Sequence, residues 1–413
     1  MIDIMKALSC PQIWQEFFDY KLAGGHMSNG EEKKLADFIE GQAYLPVIDT
    51  IERGTGFAPP HKKIISKLHS TKKRVVYVYS EEENRVLKFL TYLLQKKYDY
   101  LYADNLYSFR QGVGAHDAIK RLVKTPGIGR MWSYKVDISN YFNSIPVSEL
   151  LKIMRDKLRA DKQVCDFLET LLLNPWVIED GVQIKEEKGI MAGTPVSTFL
   201  ANLYLCHMDH YFQNENVIYA RYSDDIIVFA ETKDQLDEYV RQIQSILLQS
   251  GLSINADKEA YTAPGEKWTF LGFSYQNGTV DISPISVDKM KAKMRRKARA
   301  LERWRVRKNI GRVQAARAFI KVFNKKLFEN PAEHELTWTR WYFPMINTTE
   351  SLKIIDEYSQ YNIRVLATGK HTKAAYNFRY EEMKELGYVT LVNAYYSFLK
   401  EKDGTKEKGC CKI

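Results

Sequence analysis

Apolar positions along this chain fall into short runs separated by polar breaks, and the spacing inside each run predicts its element. Residues 74–79 and 132–138 are β-rich and read as strands, while residues 82–95 keep helical spacing. Residues 147–159 and 164–173 read as helices, and residues 197–212, after Pro195, read as one buried helix. Two apolar runs, 217–220 and 226–229, flank the polar break Tyr222-Ser223-Asp224-Asp225, the pattern of a hairpin with acids at its tip. Residues 234–248 form an amphipathic helix, and residues 268–275 and 279–282 a further hairpin around Asn277-Gly278. Residues 1–70 read as helices and loops broken at Gly54-Thr55-Gly56 and Pro59-Pro60.

After Pro284 the pattern changes. Met290, Met294, Ala298 and Leu301 share one helical face among Lys and Arg. Beyond Asn309-Ile310-Gly311, Val313, Ala316, Ile320, Phe323 and Leu327 mark a second helix. From about Thr337 the chain is helical and rich in Trp and Tyr, and from about Lys402 it reads as a frayed tail. No internal repeat or low-complexity tract is visible.

Charge sharpens this division. Net charge is +10 over 413 residues, and residues 287–326 hold 16 Lys and Arg against two acids. That segment carries +14, leaving −4 for the rest, so one segment supplies the whole basic excess and points to a polyanionic partner such as nucleic acid. The five cysteines (Cys10, Cys165, Cys206, Cys410, Cys411) have neither metal-ligand nor disulfide-framework spacing, which predicts a reducing, cytoplasmic setting. No window approaches the ~18 apolar residues of a membrane span, so no membrane partner is expected. The tail Cys410-Cys411-Lys412-Ile413 has a prenylation layout, but Lys412 stands where an aliphatic residue belongs.

The acids carry the candidate chemistry. Adjacent carboxylates at a tight turn repel each other, and a divalent cation with hard oxygen ligands removes that cost. A solvated acidic turn is the alternative. Upstream, Asp137 ends a strand in Lys135-Val136-Asp137-Ile138-Ser139-Asn140-Tyr141-Phe142. Between the two lies a Gly/Pro/Ser turn opening a buried helix, Gly193 to Asn202.

This order resembles the palm of a reverse transcriptase over roughly residues 62–275. The resemblance implies an α+β, right-hand polymerase fold. Residues 1–70 would be an N-terminal helical extension, 71–283 fingers and palm, 284–330 a basic thumb, and 331–413 a helical Tyr/Trp-rich region. It implies RNA-directed DNA synthesis with two Mg²⁺ ions per site, which carboxylates on two strands hold about 3.5–4 Å apart. Asp137 and Asp224 would be primary metal ligands, with Asp225 in support and Ile138 beside Asp137 at the metal and nucleotide. Phe142 would be a steric gate against a 2′-hydroxyl. Lys258 would meet the pyrophosphate, Lys73 and Arg74 the triphosphate, and Arg110 a phosphate or a site acid. Gly193 would let backbone approach the incoming nucleotide. Phe270-Leu271-Gly272 resembles the primer grip, and Arg295, Arg296, Arg299 and Arg303, with Arg305, Arg307 and Lys308, would track a phosphate backbone.

The chain departs from group II intron relatives at Ala192, where Gln is usual, and at Thr198, where Pro is usual. It shows no endonuclease His/Cys spacing, no RNase H-like acid set, and neither the Asn-Ala-x-x-His nor the Val-Thr-Gly stretch of retron enzymes. The resemblance therefore leans to the stand-alone bacterial branch, including defence-associated and abortive-infection enzymes. The expected partners are an RNA template, by family analogy a structured noncoding RNA, with dNTPs and a DNA product. Untemplated DNA synthesis, an RNA-copying RNA polymerase and an inactive RNA-binding palm are the rival readings.

Overall fold

The computed structural model describes residues 2–24, 27–66, 73–328 and 337–409, with backbone alone at 66, 73 and 403–409. The tail at Cys410-Cys411-Lys412-Ile413 lies outside them. Helices and eleven strands mix along the described residues, as an α+β polymerase fold requires, and the C-terminal region is helical. The chain divides into two compact units, Met1–Glu266 and Lys267–Ile413.

In the first unit, β1 (His61–Ser66), β2 (Lys73–Val78), β4 (Trp176–Glu179) and β5 (Val182–Lys185) form a sheet in the order β2-β1-β4-β5. Its β1–β4 pairing is parallel and the others are antiparallel. A second sheet, wholly antiparallel, joins β6 (Ile218–Tyr222), β7 (Asp225–Ala230), β3 (Trp132–Asp137) and β8 (Ala260–Thr262) in the order β6-β7-β3-β8.

The helix Lys233–Gln249 follows directly, capped by the Thr232 hydroxyl accepting from the Gln235 N–H. It buries Leu236, Val240, Ile243 and Leu247, one face at helical spacing, against β3 and β7. Each such side chain contributes about 1.5–3 kcal/mol, so a charge at Ile243 would detach the helix from the sheet. The buried helix Ser197–Tyr204 lies on the same core, which includes Val136, Ile226, Val228, Phe199 and Leu200. Its Asn202 is satisfied by donating to the Ser108 carbonyl (2.7 Å) and accepting from the Ser108 hydroxyl (3.0 Å).

The N-terminal helices share this core. Trp14 stacks on Tyr44 and meets Phe89 of the helix Glu81–Tyr98, with centroids 4.8 and 4.0 Å apart. Among the described residues, no helix is long and apolar enough to cross a membrane.

The second unit opens with a three-stranded antiparallel sheet, β9 (Trp268–Phe270), β10 (Phe273–Gln276) and β11 (Thr279–Ile282), in the order β11-β10-β9. The helices Pro284–Lys308, Arg312–Leu327, Glu350–Thr368 and Leu391–Gly409 follow.

Several elements differ from the sequence expectation. The segment read as helices and loops holds strand β1, whose Lys62 and Lys63 mask its β character. The hairpin β4–β5 turns at Asp180-Gly181 and had no place in the sequence reading. Residues 197–212 are two helices, Ser197–Tyr204 and Cys206–Asn214, separated at Leu205. Residues 268–275 break into β9 and β10 because Leu271 and Gly272 take left-handed φ values of 48° and 88°. The last helix runs through residues 402–409, where Lys and Glu are good helix formers.

Candidate active site

Strand pairing brings the acids together. In the β3–β7 register Asp137 stands opposite Asp225, and in the β6–β7 register Asp225 faces Tyr222. Ser223 and Asp224 are thus the two central residues of a tight hairpin. Ser223 has φ +60° and Asp224 does not share that sign, the pattern of a type II′ turn. The Asp224 carbonyl accepts from the Ile138 N–H at 3.0 Å, tying the turn to the residue after Asp137.

A third segment runs beside Asp137. Ser139 N–H donates to the Ser253 carbonyl and Asn255 N–H to the Asp137 carbonyl, both at 2.8 Å. The short turn Ala256–Lys258 then delivers the Lys258 amine to the Asp137 Oδ2, while Lys135 Nζ stands 3.9 Å from Asp225 Oδ1.

Burial pushes the Asp224 carboxyl up to about 6, and the charges of Asp137 and Asp225 push the same way. This convergence of acids is costly without a cation and fits a divalent ion. Among the described residues, no group of three or more His, Cys, Asp or Glu forms a ready metal cage. Mg²⁺ is commonly held by one or two carboxylates plus substrate phosphates, and Asp137 and Asp224 are the two carboxylates that would supply that donor set.

Phe142 sits on the short helix Tyr141–Ser144, half-buried, with Tyr141 and Phe109 as aromatic neighbours at 5.8 and 6.3 Å. Phe109 in turn lies 6.3 Å from Tyr222 of the acid hairpin. The loop before the buried helix is stitched to the Phe142 helix: Ile190 N–H donates to the Phe142 carbonyl (2.9 Å) and Ala192 N–H to Asn143 Oδ1 (3.2 Å).

Three of the expected site residues have structural partners of their own. Gly193, at φ +100°, gives its missing side-chain space to β2, since a Cβ there would lie 2.9 Å from Val76 Cβ. Strand packing therefore requires glycine here, with Tyr77 N–H bonded to the Ala192 carbonyl at 2.8 Å. Arg110 makes a two-pronged pair with Asp99 (2.8 and 2.9 Å), which is not one of the three site acids, and donates to the Ala103 and Leu106 carbonyls. The Phe270 ring is buried, which leaves Leu271 and Gly272 as the more accessible part of that turn.

Lys73 and Arg74 open β2; Arg74 is exposed, and the Lys73 side chain lies outside the described residues. In the second unit Arg295, Arg299 and Arg303 recur every fourth residue along one exposed helix stripe, with Arg296 exposed beside them. Arg305 is instead paired with Glu302 at 2.7 Å.

One feature escaped the sequence reading. Arg221 on β6 and Asp209 on the helix Cys206–Asn214 form an ion pair with both side chains fully buried, immediately behind the acid hairpin. Their twelve-residue separation across two elements leaves no local signal. Only an Arg inside an apolar strand hints at a buried partner.

The model of the family described as reverse transcriptase (RNA-dependent DNA polymerase) matches residues 65–275. An uncharacterized 91 kDa protein in the cob intron of Schizosaccharomyces pombe is 25% identical over 190 residues, 46% of this chain and 23% of that protein. A putative COX1/OXI3 intron 2 protein of Saccharomyces cerevisiae is 31% identical over 84 residues, 20% of this chain and 10% of that one. The chain thus spans less than a quarter of the length of either relative. Apo telomerase from Candida tropicalis, truncated from its C-terminal domain, aligns with TM-score 0.46 and 13% identity over 55% of each chain. Telomerase from Candida albicans, in complex with a TWJ fragment of telomeric RNA, aligns with TM-score 0.44 and 11% identity over 80% of this chain and 63% of that one. The matched stretch takes in just over half of the chain and contains all three acids, so the chain belongs to the reverse transcriptase family.

Proposed function

We propose that this chain is an RNA-directed DNA polymerase that adds dNTPs to a primer 3′-hydroxyl by two-metal phosphoryl transfer. The observation that carries the reading is the register pairing Asp137 with Asp225, with Asp224 in the intervening turn. Asp137, Asp224 and the Ile138 backbone would hold Mg²⁺, with Asp225 in support. When bound, the metal ions would activate the hydroxyl and neutralise the triphosphate and leaving pyrophosphate.

The remaining roles belong to the chain itself. Lys258 is half-exposed and so able to leave Asp137 for the departing pyrophosphate. Arg74 meets the triphosphate from β2, and Phe142 screens the sugar from beside the acids. Leu271 and Gly272 support the primer. The stripe Arg295, Arg299 and Arg303, with Arg296, follows a nucleic-acid backbone, as its exposed periodicity favours. On this reading residues 71–283 serve as fingers and palm and residues 284–330 as thumb. The partners are an RNA template, structured and noncoding by analogy, with dNTPs and a DNA product. An antiphage bacterial enzyme in the cytosol is the biological setting we attach to it.

The test is incorporation of dNTPs by purified protein with Mg²⁺ on an RNA template. Asp224→Ala with Asp225→Ala should abolish it, and unchanged incorporation sinks the assignment. Phe142→Ala should raise ribonucleotide use about tenfold or more, as expected when a packing clash is removed. Sequencing of nucleic acid bound in the native host separates templated from untemplated synthesis and identifies the template.

A further inference from the structure

The acid hairpin is held by a buried brace that the catalytic reading does not use. The Asp209 carboxylate accepts from Arg221 Nε at 2.8 Å, from Arg221 Nη2 at 2.5 Å and from the Tyr219 hydroxyl at 3.0 Å. The remaining arm of the guanidinium, Nη1, donates to the Ser223 carbonyl at 3.2 Å. That carbonyl belongs to the peptide joining Ser223 to Asp224.

The brace is anchored on its far side too. Arg221 N–H donates to the Asn105 carbonyl and Tyr107 N–H to the Arg221 carbonyl, both at 3.0 Å, and Asn105 Nδ2 donates to the Asp209 carbonyl at 2.9 Å. Ser223 occupies a φ of +60°, where glycine is the usual choice, so its peptide needs outside support to keep one orientation.

We propose that Arg221 and Asp209 are positioning residues that fix the Ser223–Asp224 peptide and thereby aim the Asp224 carboxylate. This rests on the polymerase reading for its catalytic consequence, though not for the brace itself. Asp209 locks the guanidinium through two parallel bonds, and only the planar fork leaves an arm free for Ser223. A lysine at 221 offers one ammonium and cannot reproduce that three-point geometry.

The test uses the full chain with Arg221→Lys and with the apolar double variant Arg221→Met/Asp209→Leu. The double variant removes both buried charges together, an exchange that folds commonly tolerate. Amide hydrogen exchange across residues 218–230 reads the brace directly, and steady-state kinetics reads its consequence. Hairpin exchange should quicken in both variants, and kcat should fall about 10- to 100-fold, as for a small misplacement of a reacting group. The dNTP KM should stay within about threefold, since uniform binding is untouched.

A control removes another buried ion pair of the same unit, Lys97–Asp161, which stands 2.6 Å apart. Lys97→Met/Asp161→Leu should leave kcat and hairpin exchange unchanged. Cooperatively folded Arg221 variants with wild-type hairpin exchange, or with wild-type kcat, overturn the proposal. Faster hairpin exchange in the variants of a chain whose wild type incorporates no nucleotide upholds the brace and removes the polymerase reading instead.

Discussion

Asp224 in the first unit and Asp356 in the second are both aspartates whose carboxyls burial pushes up to about 6. Their neighbourhoods differ in sign. Around Asp224 the next causes are Asp137 and Asp225, like charges that make ionisation harder. Around Asp356 they are donors: Leu391 N–H at 2.8 Å, Val392 N–H at 3.1 Å and the Tyr388 hydroxyl at 3.3 Å. Asp356 lies within the helix Glu350–Thr368 and satisfies the open N–H groups at the start of the helix Leu391–Gly409. A raised carboxyl alone therefore does not mark chemistry. Protein donors around a buried acid mark structure, whereas other acids around it mark a place for a cation.

The largest effect expected from this contrast is on turnover. Asp224→Asn should lower kcat for dNTP incorporation by about a hundred- to a thousandfold, the range for losing a group that stabilises transition-state charge. Asp356→Asn should leave kcat within about threefold, since it lies outside the catalytic elements. Equal losses in steady-state assays would erase the distinction.

Stability should move in opposite directions. In metal-free protein, Asp224→Asn relieves a buried like-charge cluster and should add about 3 kcal/mol at neutral pH, from an elevation of about two units. Asp356→Ala strands two backbone N–H groups and should remove about 2–3 kcal/mol. Chemical denaturation measures both, and a stabilising Asp356→Ala would break the comparison.

The smallest effect is in the pH profile. Both carboxyls titrate higher in the folded than in the unfolded chain, so the native state holds more protons between about pH 4 and 6. Their contribution to stability is full below about pH 4, declines as pH rises through about 6, and then levels off. Mg²⁺ should draw the Asp224 titration downward and leave that of Asp356 in place, as read by carboxyl-carbon NMR. A metal shift at both residues, or at neither, would undo the pairing of acids with a cation.

Local pattern explains what was legible in the sequence. The acid hairpin depends on two apolar runs and a two-residue turn, all within residues 217–229, and Asp137 on the strand that precedes it. The long-range pairings were not legible. Strand β1 disguises itself with lysines, and its partners β2 and β4 lie at very different sequence distances. Asp180-Gly181 between β4 and β5 is, by contrast, a local hairpin signal of the Asp-Gly kind. Arg110 and Gly193 were recognisable as constrained positions, but the constraint came from Asp99 and Val76, partners that periodicity does not name. Arg221–Asp209 needed the tertiary structure altogether.

The stitching of residues 190–193 has a mechanical consequence. Strand β2, which begins at Lys73 and Arg74, is fastened through Tyr77 to Ala192, Ala192 is fastened to Asn143, and Ile190 to Phe142. On the proposed reading, the cation that grips the phosphate tail and the ring that inspects the sugar are ends of one short linkage. A nucleotide seated wrongly at either end would disturb the other, so fidelity toward sugar and grip on phosphate would degrade together when any link between them is cut.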